Sequence, residues 1–376
     1  MQSLIAYGFA LTTPVLATLA ARRGYLPAWC SGIVLCYAAG ILLANLRLLT
    51  LPAGLLEDLA GGSMLIGLPL LLLAVRPREV LRHAPRMLLA FGLCCLAGLT
   101  ATICATLLLS DTVPDSWKVA GMLTGLYTGG TPNVQAIGLA LEAPADYLVL
   151  IQAADVLLGG AYLLALITFL PSIFARIFPP TPQHTGGGAA AGATEVEERV
   201  PFLRGAIQLV AAAAITATGA GLSYLVTGSA TSPTFLVLVV TSLGLSLALT
   251  PLPRWLGDTY PLGEYFVLIF CVAIGLLADF RTLVDHGLEL LYFSAVALGL
   301  TTLLHLLLAK LARVDRDTFI LSYVAAVYGP VFVVQVAAAI GNRRLLATAL
   351  GVSLLGFGIG NYLGIGVAWL LRGLLT

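Results

Sequence analysis

Long apolar segments separated by short polar connections run through almost the whole chain. About twelve of them are long enough to cross, or nearly cross, the hydrocarbon core of a bilayer as a helix. They cover residues 4–21, 28–46, 59–75, 87–109, 117–141, 147–170, 203–226, 233–249, 264–277, 288–309, 318–340 and 345–371. The pattern predicts an all-α polytopic membrane protein with about 10–12 transmembrane helices.

Two of these segments contain residues that interrupt a helix. They are Gly129, Gly130 and Pro132 in segment 117–141, and Gly329 and Pro330 in segment 318–340. Lipid tolerates free backbone groups only where a break is buried in protein or lines a cavity. We therefore expect two broken helices whose exposed ends bind a solute or an ion. A proline kink without a ligand is the alternative.

Polar side chains accompany both breaks. Those near the first break are Thr128, Thr131, Asn133 and Gln135, and those near the second are Tyr328 and Gln335. This concentration of polar groups inside apolar segments predicts a substrate-binding or ion-binding site. Asn361, in the last apolar segment, is a further candidate.

Asp155 lies deep inside the apolar segment 147–170. A carboxylate at that depth is costly, so it should face a cavity, pair with another group or carry a proton. Gln152 shares its helix face one turn earlier. We interpret Asp155 as the group that titrates during transport, with a structural carboxylate as the alternative.

The two halves of the chain resemble each other. The shift that aligns Val134-Gln135 with Val334-Gln335 also aligns Gly129 with Gly329. The predicted division is a first repeat at 1–178 with its broken helix at 117–141, a flexible linker at 179–201, and a second repeat at 202–376 with its broken helix at 318–340. Twelve crossings imply parallel repeats, whereas inverted repeats need an odd number per half. The basic loop at 310–316 favours the inverted arrangement.

Composition supports an integral membrane protein. The chain has 376 residues, is 59% hydrophobic and 10% charged, and carries a net charge of +1, which indicates a lipid bilayer and not nucleic acid as its partner. Four arginines crowd the loop at 76–86 and place it in the cytoplasm. No cleavable signal peptide is evident. We expect a multi-pass protein of the cytoplasmic (inner) membrane.

Enzyme motifs are missing from the sequence. The four histidines form no H-E-x-x-H, and no P-loop motif is present. The six cysteines lack metal-ligand spacing and are interpreted as packing residues. We expect no enzymatic activity and no cofactor other than a coupling ion, either a proton or a sodium ion near Thr131 and Asn133.

The motifs at the two breaks resemble those of the YjcL-like membrane proteins, also called domain of unknown function 819. The similar stretches are Gly129-Gly130-Thr131-Pro132-Asn133, Gly329-Pro330 and Asn361-Tyr362-Leu363-Gly364. The first family motif usually reads G-G-S-x-N, so the resemblance implies that Thr131 and Asn133 are site residues. The resemblance also implies kinship with the cation:proton antiporter and anion transporter superfamily. It further implies a panel domain, a core domain with two crossed broken helices, an elevator-like motion and a homodimer.

The second family motif, usually A-N-x-G-G-P, is only partly kept. Ala326 stands in the place of the asparagine and Tyr328 in that of the first glycine. This departure removes polar groups from the second break and favours proton coupling through Asp155 over sodium coordination.

The sequence thus predicts an ion-coupled secondary transporter of a small polar organic solute such as an organic acid, an amino acid or a small peptide. A sodium/proton antiporter is the closest alternative. A channel or a non-transporting membrane scaffold is a further alternative from another class.

Overall fold

The structure, a computed structural model, describes residues 2–23, 32–46, 52–78, 80, 84–110, 112–181, 202–230, 232–277 and 280–375. Every regular element within these ranges is a helix, which confirms the predicted all-α class. Most of the predicted linker at 179–201 lies outside the described residues.

The helices are numbered here in chain order. Those of the first half are α1 (Gln2–Arg22), α2 (Gly32–Asn45), α3 (Ala53–Leu73), α4 (Pro85–Leu109), α5 (Ser116–Gly129), α6 (Thr131–Ala140), α7 (Ala145–Ala154), α8 (Gly160–Thr168) and α9 (Leu170–Phe174). Those of the second half are α10 (Phe202–Thr227), α11 (Pro233–Ala248), α12 (Leu252–Leu256), α13 (Tyr260–Leu277), α14 (Phe280–Leu311), α15 (Arg316–Val327), α16 (Pro330–Ala339) and α17 (Leu346–Leu375). A π-helical turn, Asp155–Gly159, joins α7 to α8.

Seven helical segments of the described chain are long and apolar enough to cross a membrane. They are Gly54–Leu73, Pro85–Leu109, Ala145–Thr168, Leu203–Thr227, Tyr260–Leu277, Gly287–Leu311 and Leu346–Leu375. Shorter apolar helices are Tyr7–Ala20, Gly32–Asn45 and Pro233–Ala248. The protein is therefore a polytopic membrane protein.

The first interrupted segment folds back on itself. The Nζ atom of Lys118, near the start of α5, donates a hydrogen bond of 3.2 Å to the backbone oxygen of Glu142, just after α6. In one straight helix these residues would lie about 36 Å apart. Midway, a Cβ atom on Gly125 would lie 3.3 Å from the Cβ of Asn133. Helices α5 and α6 therefore form an antiparallel hairpin, hairpin 1 (residues 116–140), with its tip at Gly130.

The second interrupted segment makes the same reversal. The Nδ2 atom of Asn342, after α16, donates a hydrogen bond of 2.8 Å to Oδ2 of Asp317 in the first turn of α15. A straight helix would separate the two residues by about 37 Å. Helices α15 and α16 therefore form hairpin 2 (residues 316–339), with its tip at Gly329.

The expectation of crossed broken helices that run through the membrane is thus wrong in its geometry. Both breaks are present, but each reverses the chain, so each hairpin enters and leaves at the same end of the helix bundle. The arms are also short: α5 has 14 residues and α6 has 10, or about 21 and 15 Å, which is less than the hydrocarbon thickness.

Apart from the hairpins, the two halves contain equal numbers of apolar helical segments. Without them, the described part of the chain has five apolar helical segments in each half: α1, α2, α3, α4 and α7–α8, then α10, α11, α13, α14 and α17. An odd number of crossings in each half would turn the second half upside down relative to the first, which is the inverted arrangement predicted from the sequence. Two equivalent pairs, α3 with α13 and α4 with α14, are among the most extensive helix contacts.

The two hairpins enter from opposite ends of the bundle. At the hairpin 2 end, the backbone N–H of Arg316 donates to the oxygen of Pro179 (3.1 Å), and Val80 of the arginine-rich loop lies against Gly351 near the start of α17. At the hairpin 1 end, the ring of Trp117 lies 6.3 Å from that of Trp369 near the end of α17. Both basic loops of the sequence therefore lie at the hairpin 2 end.

Candidate functional site

The tips of the two hairpins meet inside the bundle. Gly130 has φ 80° and Gly329 has φ 81°, values that residues with a Cβ atom rarely adopt. A Cβ atom on Gly130 would lie 3.6 Å from the backbone nitrogen of Gly329. The tip amides are bonded within their own hairpins, that of Gly130 to Leu126 (2.9 Å) and that of Gly329 to Val324 (3.1 Å). The contact therefore brings two short backbone turns together.

Four helix ends converge where the tips meet. Helices α5 and α15 end there, and α6 and α16 begin there. The N-terminus of a helix carries a partial positive charge and its C-terminus a partial negative charge. Such an arrangement can bind an anionic group and a cation close together, as the broken helices of other transporters do.

Residues of hairpin 1 are fixed against α17. Asn133 donates from Nδ2 to the backbone oxygen of Gly356 (3.0 Å), while its buried Oδ1 has no partner within the described residues. Thr128 is fully buried and its hydroxyl donates to the oxygen of Thr124 (2.9 Å). Thr131 and Pro132 lie half-buried at the tip. The structure thus places Asn133 and Thr128 in hairpin 1. Of their polar atoms, the amide oxygen of Asn133 has no hydrogen-bond partner within the described residues.

Other predicted site residues point away from the tips. Gln135 accepts a hydrogen bond of 2.8 Å at Oε1 from the hydroxyl of Tyr37 on α2. Asn361 donates to the hydroxyl oxygen of Thr241 on α11 (3.1 Å). Gln335 is exposed on α16. These three residues therefore do not join one constellation with Asn133.

Asp155 and Tyr328 lie together beside hairpin 2. Asp155 begins the π-helical turn, a distortion that is frequent at functional sites, and a Cβ atom on Gly159 would lie 2.8 Å from its Oδ1 and 3.2 Å from Cε1 of Tyr328. The Tyr328 hydroxyl donates to the oxygen of Gly159 (2.8 Å). The carboxyl group also lies within electrostatic range of the hydroxyls of Tyr127 and Tyr328. Gln152 is buried one turn earlier on α7.

An aromatic cluster continues from Tyr328 along hairpin 2, and sequence reasoning missed it. The ring of Tyr323 lies 6.2 Å from Tyr328, 5.1 Å from Tyr162 on α8 and 5.9 Å from His305 on α14. The hydroxyls of Tyr323 and Thr302 share a hydrogen bond of 2.8 Å. His305 is fully buried, and its ring stacks on Phe319 at 4.8 Å. The signal that the sequence offered was a tyrosine shortly before each tip glycine, Tyr127 before Gly130 and Tyr328 before Gly329.

A groove of about 400 Å³ lies between α8 and α14 beside this cluster. Its lining is mostly apolar and includes Leu158, Tyr162, Leu298 and Thr302. Within the described residues, no group of three or more His, Cys, Asp or Glu side chains is placed to hold a metal ion.

The sequence matches one family of proteins over nearly its whole length. The model described as "Protein of unknown function (DUF819)" covers residues 9–374. The chain belongs to the DUF819 family. The uncharacterized membrane protein YjcL of Bacillus subtilis (strain 168) is 26% identical over 353 residues, which cover 89% of this chain and 88% of that protein. Membership in DUF819 confirms the family resemblance drawn from the motifs at the breaks, whereas kinship with the antiporter superfamily stays a prediction.

Proposed function

We propose that this DUF819 protein is an ion-coupled secondary transporter of a small polar organic solute. The observation that carries the proposal is the meeting of two oppositely inserted hairpins at Gly130 and Gly329, with the carboxyl group of Asp155 beside them. Irregular backbone inside a membrane protein is tolerated where it lines a site. A site between inverted halves can be reached from either side of the membrane in turn.

The charges around the tips suggest the solute class. The N-termini of α6 and α16 suit a carboxylate. Asp155 suits a proton or an ammonium group, with the hydroxyls of Tyr127 and Tyr328 nearby. We therefore retain organic acids, amino acids and small peptides as candidate solutes, and we favour the proton over sodium as coupling ion. An elevator-type motion and a homodimer remain parts of the proposal.

Placement in the cytoplasmic membrane is part of the same proposal. The arginine-rich loop at 76–86 and the basic loop at 310–316 lie at the hairpin 2 end. The excess of arginine and lysine favours the cytoplasm for that end. Hairpin 1 would then enter from the outer side.

The test is transient charge movement in liposomes that contain the purified protein. Amino acids, small peptides and organic acids are applied under proton or sodium gradients. We expect a solute-evoked current that Asp155→Asn abolishes, because the amide cannot release a proton. Asp58→Asn makes the same chemical change at an exposed position on α3 and should leave the current intact.

Three other outcomes favour the alternatives. A response to sodium alone, with a pH change inside the vesicles, indicates a sodium/proton antiporter. Current that persists without a coupling gradient indicates a channel. Silence together with no stabilisation by any solute or ion indicates a membrane scaffold.

A further inference from the structure

The same dipeptide stands shortly after the tip of each hairpin but in opposite surroundings. Val134 and Gln135 on α6 are 1% and 0% exposed. Val334 is 43% exposed and Gln335 is also exposed on α16. Counted from the tip glycines, Val334 and Gln335 correspond to Gln135 and Ala136. These two positions are fully buried in hairpin 1 and exposed in hairpin 2.

The closed surroundings of hairpin 1 come from neighbouring helices. Its returning arm α6 packs against α11 and α17. The hydroxyl of Thr234 on α11 donates to the backbone oxygen of Ala140 at the end of α6, and Tyr37 holds Gln135. These contacts hold α6 against α2, α11 and α17 and bury its residues near the tip.

The open face of α16 requires water or protein in front of it. An amide such as that of Gln335 is costly to expose to hydrocarbon. At the tip itself, a Cβ atom on Gly329 would meet no described atom within 4 Å. Gly329 itself is buried, so an aqueous path to the tip would have to run along the exposed face of α16 from the hairpin 2 end.

Helix α16 also lies between two points where the backbone can rotate. Gly329 precedes it with φ 81° and Gly341 follows it with φ 72°, and neither has a described atom within 4 Å of an added Cβ. Hinges are a few positions at the ends of elements that absorb backbone rotation. Helix α6, by contrast, ends at Ala140, and the residue with positive φ that follows it is Glu142 (φ 49°) instead of a glycine.

We propose that α16 is the gate of the transport site and that the structure shows the state open towards the hairpin 2 end. In the opposite state α16 closes over the tips and buries Val334 and Gln335, while α6 releases Val134 and Gln135 to water from the hairpin 1 end. The inference rests on the proposed transport function, and it adds which helix moves and which side is open.

The test compares Val334→Cys with Val134→Cys in a protein whose six native cysteines are replaced by serine. Both variants replace a valine close to a tip, four residues after Gly130 and five residues after Gly329. A membrane-impermeant maleimide is applied to liposomes from either side. We expect Val334→Cys to react at least about tenfold faster, and only from the hairpin 2 side, since a buried thiol reacts only through local opening.

Changing the ionic conditions then tests whether the two proposed states interconvert. Rates are compared in sodium and potassium chloride and in acidic and alkaline buffers. In at least one condition the rate at Val334→Cys should fall while that at Val134→Cys rises. Equal rates at the two cysteines, or rates that never move in opposite directions, would overturn the gate.

The experiment also tests the gate proposal independently of the proposed solute class. Labelling needs no solute, so opposite changes in the two rates without any solute-evoked current would contradict the solute class and support the gate. If Val334→Cys reacts only with a lipid-soluble maleimide, lipid or a second copy covers α16 and the gate is excluded.

Discussion

At the scale of single residues, Gly360 on α17 allows hairpin 1 to approach. A Cβ atom there would collide with the amide of Asn133 and lie 2.6 Å from the hydroxyl of Thr128. We expect Gly360→Ala to destabilise the protein by about 1–3 kcal/mol, as overpacked sites do, and to break the bond from Asn133 to Gly356. The midpoint of thermal unfolding measures this.

The matched control lies on the same helix. Gly366 has no described atom within 4 Å of an added Cβ, so Gly366→Ala should be neutral or stabilising by about 0.5–1 kcal/mol through helix propensity. Similar losses of stability at both glycines would contradict the close packing of α17 against hairpin 1.

The polar residues show how far sequence reasoning reaches at this scale. Asn133, Thr128 and Asp155 were selected because polar groups in apolar segments are costly, and the structure places them near the tips. Gln135 and Asn361 were selected for the same reason, but hydrogen bonds from other helices satisfy part of each amide. Whether a polar residue lies at the tips or bonds to another helix depends on partners distant in sequence. The sequence alone therefore cannot distinguish these two cases.

At the scale of elements, the base of hairpin 2 depends on the bond between Asn342 and Asp317. A hydrogen bond to a charged group contributes about 1.5–3 kcal/mol. We expect Asn342→Ala to loosen α16 and to speed amide hydrogen exchange in residues 330–339, with hairpin 1 unchanged. Hydrogen-exchange mass spectrometry measures both hairpins at once.

Asn45→Ala provides the comparison, because the amide of Asn45 bonds to Ile41 one turn away in α2. It should leave both hairpins unchanged. Unaltered exchange in residues 330–339 after Asn342→Ala would show that the bond does not hold hairpin 2 closed at its base.

The hairpins also show why the helix breaks could be predicted but not their shape. Gly129, Gly130 and Pro132 mark the first break in any apolar segment. Whether the chain continues or reverses depends on the backbone angles at Gly130 and on contacts such as Lys118 with Glu142. Those contacts join residues far apart in sequence, and the hydrophobic periodicity of the chain does not predict them.

At the scale of the whole molecule, the reversal of both segments is compatible with the predicted inverted repeats. Counting the interrupted segments as crossings gave an even number of crossings per half, which implies parallel repeats. The basic loop at 310–316 favours inverted repeats instead. Counting them as hairpins removes the conflict and brings both basic loops to one end. The prediction of inverted repeats therefore depends on local backbone geometry at two glycines, Gly130 and Gly329.

The most direct test of this account is the sidedness of the residues that flank each hairpin. Single cysteines at Thr112 and Pro144 flank hairpin 1, and those at Ala312 and Arg344 flank hairpin 2; all four positions are exposed. An impermeant maleimide is applied to cells and to inverted vesicles. We predict that Thr112→Cys and Pro144→Cys react from one side and that Ala312→Cys and Arg344→Cys react from the other. If the two cysteines of either pair react from opposite sides, that segment crosses the membrane and the account of two hairpins meeting tip to tip is wrong.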